Sequence, residues 1–298
     1  MFVAIETLFY NIDVVVKQIG DTMQNASLSK DMFDFLQDPS ETLEERCIGG
    51  TDAIRVEGLS FFYPAHDKPV LQDISFAVRE GESIAIVGRN GSGKSTLVKI
   101  LMGLYAPSQG KVIYGKSLKL SKTNFVNISA VFQDPQIYAL SIRANIAISQ
   151  YSRMDESEKT LEILHKVFDE KWLNQYSVGQ ETIIGRVFGG IELSGGERQR
   201  MSIGRAIFRD STLVFMDEPT SALDPLMEES IYKQFLEINK GKTTFFITHR
   251  LATVRFADRI LVLNNGKLIE EGSHAELMAA QNEYARMYEL QKKAYVQY

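Results

Sequence analysis

Ser83-Ile84-Ala85-Ile86-Val87 runs directly into Gly88-Arg89-Asn90-Gly91-Ser92-Gly93-Lys94-Ser95-Thr96. The first five residues form a nearly continuous apolar run, as a parallel strand covered on both faces requires. The next nine fit the pattern G-x-x-x-x-G-K-[ST], and a helix is predicted to follow. Glycines in such a loop let backbone N–H groups turn inward around phosphate oxygens, and the helix start adds its positive end. Lys94 can then reach the β- and γ-phosphates while the Ser95 hydroxyl ligates Mg²⁺. A chance glycine-rich turn would not need a strand before it and a helix after it. The pattern points to a nucleoside triphosphate without naming the reaction.

Further along, Leu213-Val214-Phe215-Met216 is a second apolar strand, ending in Asp217-Glu218. Acidic pairs at strand ends are often only solvated. After a phosphate loop, however, Asp217 can hold the metal shell and Glu218 can polarise an attacking water. Ser194-Gly195-Gly196-Glu197 opens a predicted helix and reads as a capping box, with Ser194 at the N-cap and Glu197 reaching back. A capping box does not need two successive glycines, whereas a close approach of backbone to an anion does. This helix start is therefore a second phosphate-binding surface. One nucleotide cannot easily meet both surfaces within a compact domain, but two copies facing head to tail can sandwich it.

Around these motifs the predicted architecture is α/β, a P-loop core with a mixed sheet. Ile54 to Phe62 and Asp73 to Val78 alternate like exposed-edge antiparallel strands of a separate β subdomain, while Thr243 to Thr248 is another buried run. Residues of about 136–209 are mostly helical and more polar, as in an inserted helical subdomain. Ile260 to Val262 and Lys267 to Glu270 add late strands, and residues 274–297 return to helix. Before all this, Phe2, Ile5, Leu8, Phe9, Ile12, Val15, Val16, Ile19 and Met23 recur at helical spacing, predicting a long amphipathic helix to about residue 38. Asp38-Pro39-Ser40 stops it and a polar linker leads to Gly50. The expected domains are thus 1–50, helical extension plus linker, and 51–298, nucleotide-binding.

A chain of 298 residues, 44% hydrophobic, has room for a sizeable core. Its net charge of −5 gives no electrostatic reason to bind nucleic acid. One cysteine, Cys47, excludes an internal disulfide and suits a reducing compartment. No stretch reaches the roughly 18 apolar residues of a membrane span. The chain alone is expected to be soluble and cytoplasmic, and any action at a membrane needs spans from elsewhere. His66, His165 and His274 share no ligand spacing and read as surface residues, and Trp172 reads as a packing residue. Lys116, Lys119 and Lys122 read as a solvated loop.

Taken together, the chain from about residue 53 resembles an ABC ATPase domain, with Leu193 to Arg200 (LSGGERQR) matching that family's signature. The resemblance implies ATP and Mg²⁺ as ligands and gives roles to further residues. Tyr63, in Phe61-Phe62-Tyr63-Pro64, stands where the family stacks an aromatic on adenine. Gln133, in Val131-Phe132-Gln133-Asp134-Pro135, matches a glutamine that contacts Mg²⁺ and the lytic water. Asp217 and Glu218 match the metal-shell acid and the catalytic base. Asp224, in Ser221-Ala222-Leu223-Asp224, matches a loop crossing the dimer interface, and His249 matches the histidine on the γ-phosphate. Two departures stand out: Glu197 replaces the usual glutamine, and Arg186 replaces an acidic residue found in many exporters.

The N-terminal helix resembles the cytoplasmic extension of the last membrane helix of an exporter whose spans and ATPase share one polypeptide. That implies a membrane domain as partner, a second copy of this domain, and a place on the cytoplasmic face of the cell membrane. Phe188 to Ser194 and Tyr284 to Gln291 are similar to bacterial peptide and lantibiotic exporters, which implies a peptide cargo. Two rival classes stay open: a non-transport ABC ATPase acting on DNA or the ribosome, and a regulatory module that no longer hydrolyses. The first usually carries a long coiled-coil insertion or tandem ATPase domains, neither visible here. Against the second stand Glu218, Gln133 and His249, and an ATPase assay separates it.

Overall fold

The computed structural model describes residues 52–64, 68–115, 127–168, 170–186, 189–217, 225–248 and 251–296. The chain divides into two units, Met1–Glu44 and Glu45–Tyr298, and every described residue belongs to the second. The helix expected up to residue 38 lies outside the described residues, as do His66, Lys116, Lys119 and Lys122.

Two sheets organise the described residues. Strands β1 (Asp52–Phe61), β2 (Leu71–Arg79) and β4 (Gln109–Tyr114) form an antiparallel sheet in the order β2-β1-β4. β1, expected at an exposed edge, is instead the central strand of that sheet, paired on both sides. A six-stranded sheet runs β5-β6-β7-β3-β8-β9, built from β3 (Ser83–Gly88), β5 (Ile128–Val131), β6 (Leu213–Asp217), β7 (Thr243–Ile247), β8 (Arg259–Asn264) and β9 (Lys267–Gly272). All its pairings are parallel except β8 with β9. The mixed α/β architecture expected from the sequence is the one observed.

Period-two alternation sends successive residues of this sheet to opposite faces, and both faces are buried. Ala85, Val87, Val214, Met216, Phe246, Ile260 and Val262 join one apolar cluster with the helical region. Their neighbours Ile84, Ile86, Leu213, Phe215, Phe245, Ile247, Leu261 and Leu263 join a second cluster with the antiparallel sheet. Each such side chain contributes roughly 1.5–3 kcal/mol by leaving water. This explains why the sequence here is continuously apolar rather than alternating.

Helix α1 (Lys94–Leu101) follows β3 and packs into the second cluster. The helical region comprises α2 (Ile142–Ala147), α3 (Ser157–Val167), the five-residue α4 (Glu170–Asn174) and α5 (Gly195–Arg209). Then come α6 (Pro225–Ile238), α7 (Leu251–Val254), α8 (His274–Ala280) and α9 (Glu283–Val296). The helix expected over 274–297 is broken at Gln281, whose φ of 55° is left-handed. The β8–β9 hairpin turns on Asn265 and Gly266, both at positive φ, as a two-residue turn matched to strand twist demands. His274, expected at the surface, is instead partly buried, with Nδ1 2.8 Å from the Tyr284 hydroxyl.

Candidate functional site

Parallel pairing brings the expected site residues to one edge. β6 lies between β5 and β7, and β7 lies beside β3, so the C-terminal ends of four strands open on the same side. Gly88 ends β3, Gln133 follows β5 by two residues, Asp217 ends β6 and Thr248 follows β7. Open α/β sheets take ligands in the crevice outside such ends. Glu218 and His249 come next in sequence to Asp217 and Thr248. They and Asp224 lie outside the described residues.

The phosphate loop is closed by Lys94, a buried residue whose ammonium donates to the carbonyl oxygens of Gly88 at 3.0 Å and Arg89 at 3.2 Å. Gly93 sits at the N-cap of α1 with a φ of 100°. At Gly88 a Cβ would stand 2.2 Å from the Leu263 carbonyl, so the loop needs glycine there to lie against β8. Asn90 and Gly91 are exposed, Ser95 is half-buried and Thr96 is buried. The Ser92 hydroxyl, in a side chain 3% exposed, has no hydrogen-bond partner. An orphaned buried hydroxyl is costly, and a phosphate oxygen in the loop is a partner that would satisfy it.

Tyr63 borders a groove shared with Lys68, Gln72, Gly91, Asn265 and Gly266. Its hydroxyl lies 3.1 Å from the Thr96 hydroxyl, and its ring packs edge-on against Phe61 at 5.0 Å and Tyr105 at 5.7 Å. The tyrosine is held at both ends beside the loop, as an aromatic platform must be. Ser95, Gln133 and Asp217 add a hydroxyl, an amide and a single carboxylate. That sparse oxygen set suits Mg²⁺ bound alongside phosphates and water. Among the described residues no group of three or more His, Cys, Asp or Glu forms a metal site.

The second surface is separate. Ser194, Gly196 and Glu197 line a cleft with Lys171, Trp172, Gln175 and Arg200, and no residue is common to this cleft and the Tyr63 groove. The capping box is present: Glu197 Oε2 accepts from the Ser194 N–H at 2.7 Å, and the Glu197 N–H donates to Ser194 Oγ at 3.4 Å. Such a cap is worth about 1 kcal/mol. A Cβ added at Gly195 meets nothing within 4 Å, so packing within the chain does not require glycine there. Burial opposes ionisation of Glu197. Hydrogen bonds with Ser194 and Trp172, with Arg200 nearby, outweigh it and hold the carboxyl below its ordinary pKa.

Two contributors escaped the sequence reading. Trp172 does pack, stacked on Phe168 at 3.8 Å, but its indole N–H also donates to Glu197 Oε1. Arg205, on α5, donates to the carbonyl of Gln136, to that of Asn145 at 2.6 Å, and to Asn145 Oδ1 at 2.7 Å. Its guanidinium also lies 5.1 Å from the Tyr138 ring centroid. Fully buried Asn145 in turn bonds the backbone of Tyr138, Leu140 and Ser141. The segment after Gln133 is thereby tied to the helix that starts at Ser194. An asparagine between Ile142 and Ile146 on an apolar helix face was the available signal. Arg186 pairs with Glu192 at 2.7 Å at the surface, a contact of small energetic weight.

The family described as "ABC transporter" matches residues 71–221. The chain belongs to that family. It is 37% identical over 282 residues to an ATP-dependent lipid A-core flippase of Chromohalobacter salexigens, covering 92% of this chain and 48% of that protein. It is 35% identical over 295 residues to the nisin transport ATP-binding protein NisT of Lactococcus lactis, covering 95% and 48%. The solved structure of a bacterial Atm1-family ABC exporter with ATP bound matches at a TM-score of 0.75 and 27% identity, covering 91% of this chain and 48% of that one. The chain thus spans about half the length of the relatives it matches. Among the described residues no helix is long and apolar enough to cross a membrane.

Proposed function

We propose that two copies of this domain pair head to tail and hydrolyse ATP to drive export across a membrane. The observation that carries this reading is the separation of the Tyr63 groove from the Ser194 cleft, which no residue shares. Each ATP lies in the loop of Gly88, Asn90, Gly91, Ser92, Gly93, Lys94, Ser95 and Thr96 of one copy, its adenine on Tyr63. Ser194, Gly195, Gly196 and Glu197 of the second copy close over its phosphates, with Asp224 in the loop crossing the interface. Ser95, Gln133 and Asp217 hold Mg²⁺, which when bound supplies charge neutralisation on the phosphate oxygens. Glu218 takes the proton of an attacking water while His249 contacts the γ-phosphate, and in-line displacement needs little beyond this positioning.

In the full assembly the N-terminal helix, residues 1–50 with its linker, continues a membrane domain, and residues 51–298 form the motor on the cytoplasmic face. Closure and opening of the pair act on the membrane domain through the segment around Gln133. A peptide is the cargo put forward, on the resemblance of Phe188 to Ser194 and Tyr284 to Gln291, and relatives named for nisin and subtilin transport support it. Glu218→Gln is the test: it should slow turnover by about 100-fold or more while an ATP-dependent dimer accumulates. Normal turnover would remove Glu218 as the base.

A further inference from the structure

Glu197 makes two contacts at once. One carboxylate oxygen accepts from the Ser194 backbone, and the other accepts from the Trp172 indole N–H. The indole is not free to choose. Phe168 stacks on it at 3.8 Å with an interplanar angle of 13°, and Tyr176 meets it edge-on at 5.3 Å. Packing alone would be served by any aromatic ring. The nitrogen is aimed at the group that caps the signature helix, and a buried indole N–H normally finds such a partner. Trp172 also lines the cleft beside Ser194 and Gly196.

We infer that Trp172 is a positioning residue for the Ser194 turn, setting through Glu197 how its hydroxyl and amides meet the nucleotide. The inference rests on the two-copy reading above. The residue touches no reacting atom; it acts by preorganising the capping carboxylate, so that the turn need not be ordered when the partner's ATP arrives. A groove on one molecule and an aromatic stack on another are thereby connected through a single acceptor. Loss of the N–H should weaken closure without weakening the first encounter with ATP, which uses the Lys94 loop.

Trp172→Phe keeps the ring stack and removes the donor, so it is the variant to make in the full chain. Binding of a fluorescent ATP analogue to the Lys94 loop should stay within about 2-fold, while kcat falls about 10-fold. Glu197→Ala, which also removes the Ser194 cap, should cost at least as much, and the double variant little more than Glu197→Ala alone, because Trp172 acts through that carboxylate. Parental kcat in Trp172→Phe, or losses that multiply, would overturn the inference. Trp172 is the single tryptophan of the chain, so parental emission supplies a readout that needs no substitution. It should change with ATP and Mg²⁺ in step with pairing, and constant emission through pairing would also overturn the inference. Ser194→Ala separates the two levels. If it turns over normally, the two-copy reading fails and this inference with it; if it is slow while Trp172→Phe is normal, only the inference fails.

Discussion

Lys94 and Glu197 show how single groups divide the work between the two surfaces. Lys94 places a buried ammonium against two carbonyls of its own loop, in a geometry ready to exchange those acceptors for phosphate oxygens. Lys94→Ala should weaken ATP binding by about 100-fold, roughly 3 kcal/mol, as expected for a lost charge-assisted contact in a sheltered site. Equilibrium binding measures it, and unchanged affinity would count against the loop as the primary contact. Glu197 gives a pH dependence. Its pKa in the folded chain lies below the ordinary 4.5, so its capping contribution is complete above that value. The contribution is lost as pH falls through the lower folded pKa. Trp172 emission should therefore titrate with a midpoint below 4.5, and a flat profile there would dissociate the indole from the carboxylate.

At the scale of elements, the clearest coupling runs from α5 to the segment after Gln133. Arg205 serves three acceptors and Asn145 fixes the loop backbone around Tyr138. Arg205→Ala should destabilise the chain by about 2–3 kcal/mol, since it takes a charged donor away from the fully buried Asn145. Arg205→Lys should recover only part of this, because an ammonium lacks the planar fork. Denaturant unfolding with an unchanged m-value checks both. This is also where the sequence was least legible. The phosphate loop and signature announce themselves because their chemistry is local. Arg205 with Asn145, and Trp172 with Glu197, are partners 60 and 25 residues apart, which no local pattern reveals. β4 passed unnoticed because its first half is exposed and polar, and β5 because four residues carry too little period. The break at Gln281 adopts a left-handed φ without a glycine or proline to signal it.

For the whole molecule, the sheet order explains why residues so far apart in sequence reach the one edge where the proposal places the nucleotide. The C-terminal ends of β3, β5, β6 and β7 open on one side because those strands are parallel neighbours, and the apolar runs that predicted β3, β6 and β7 were legible from the start. The Ser194 cleft and the Tyr63 groove share no residue within the chain. Whether a second copy completes each site is decided by a mixing experiment. Lys94→Ala and Ser194→Ala chains should each be nearly inactive alone, since every paired site then lacks one half. Mixed in equal amounts, random pairing rebuilds one intact site in half of the pairs, and ATPase activity should return to about a quarter of the parental rate. A mixture no more active than the average of its two components would rule out sites shared between copies.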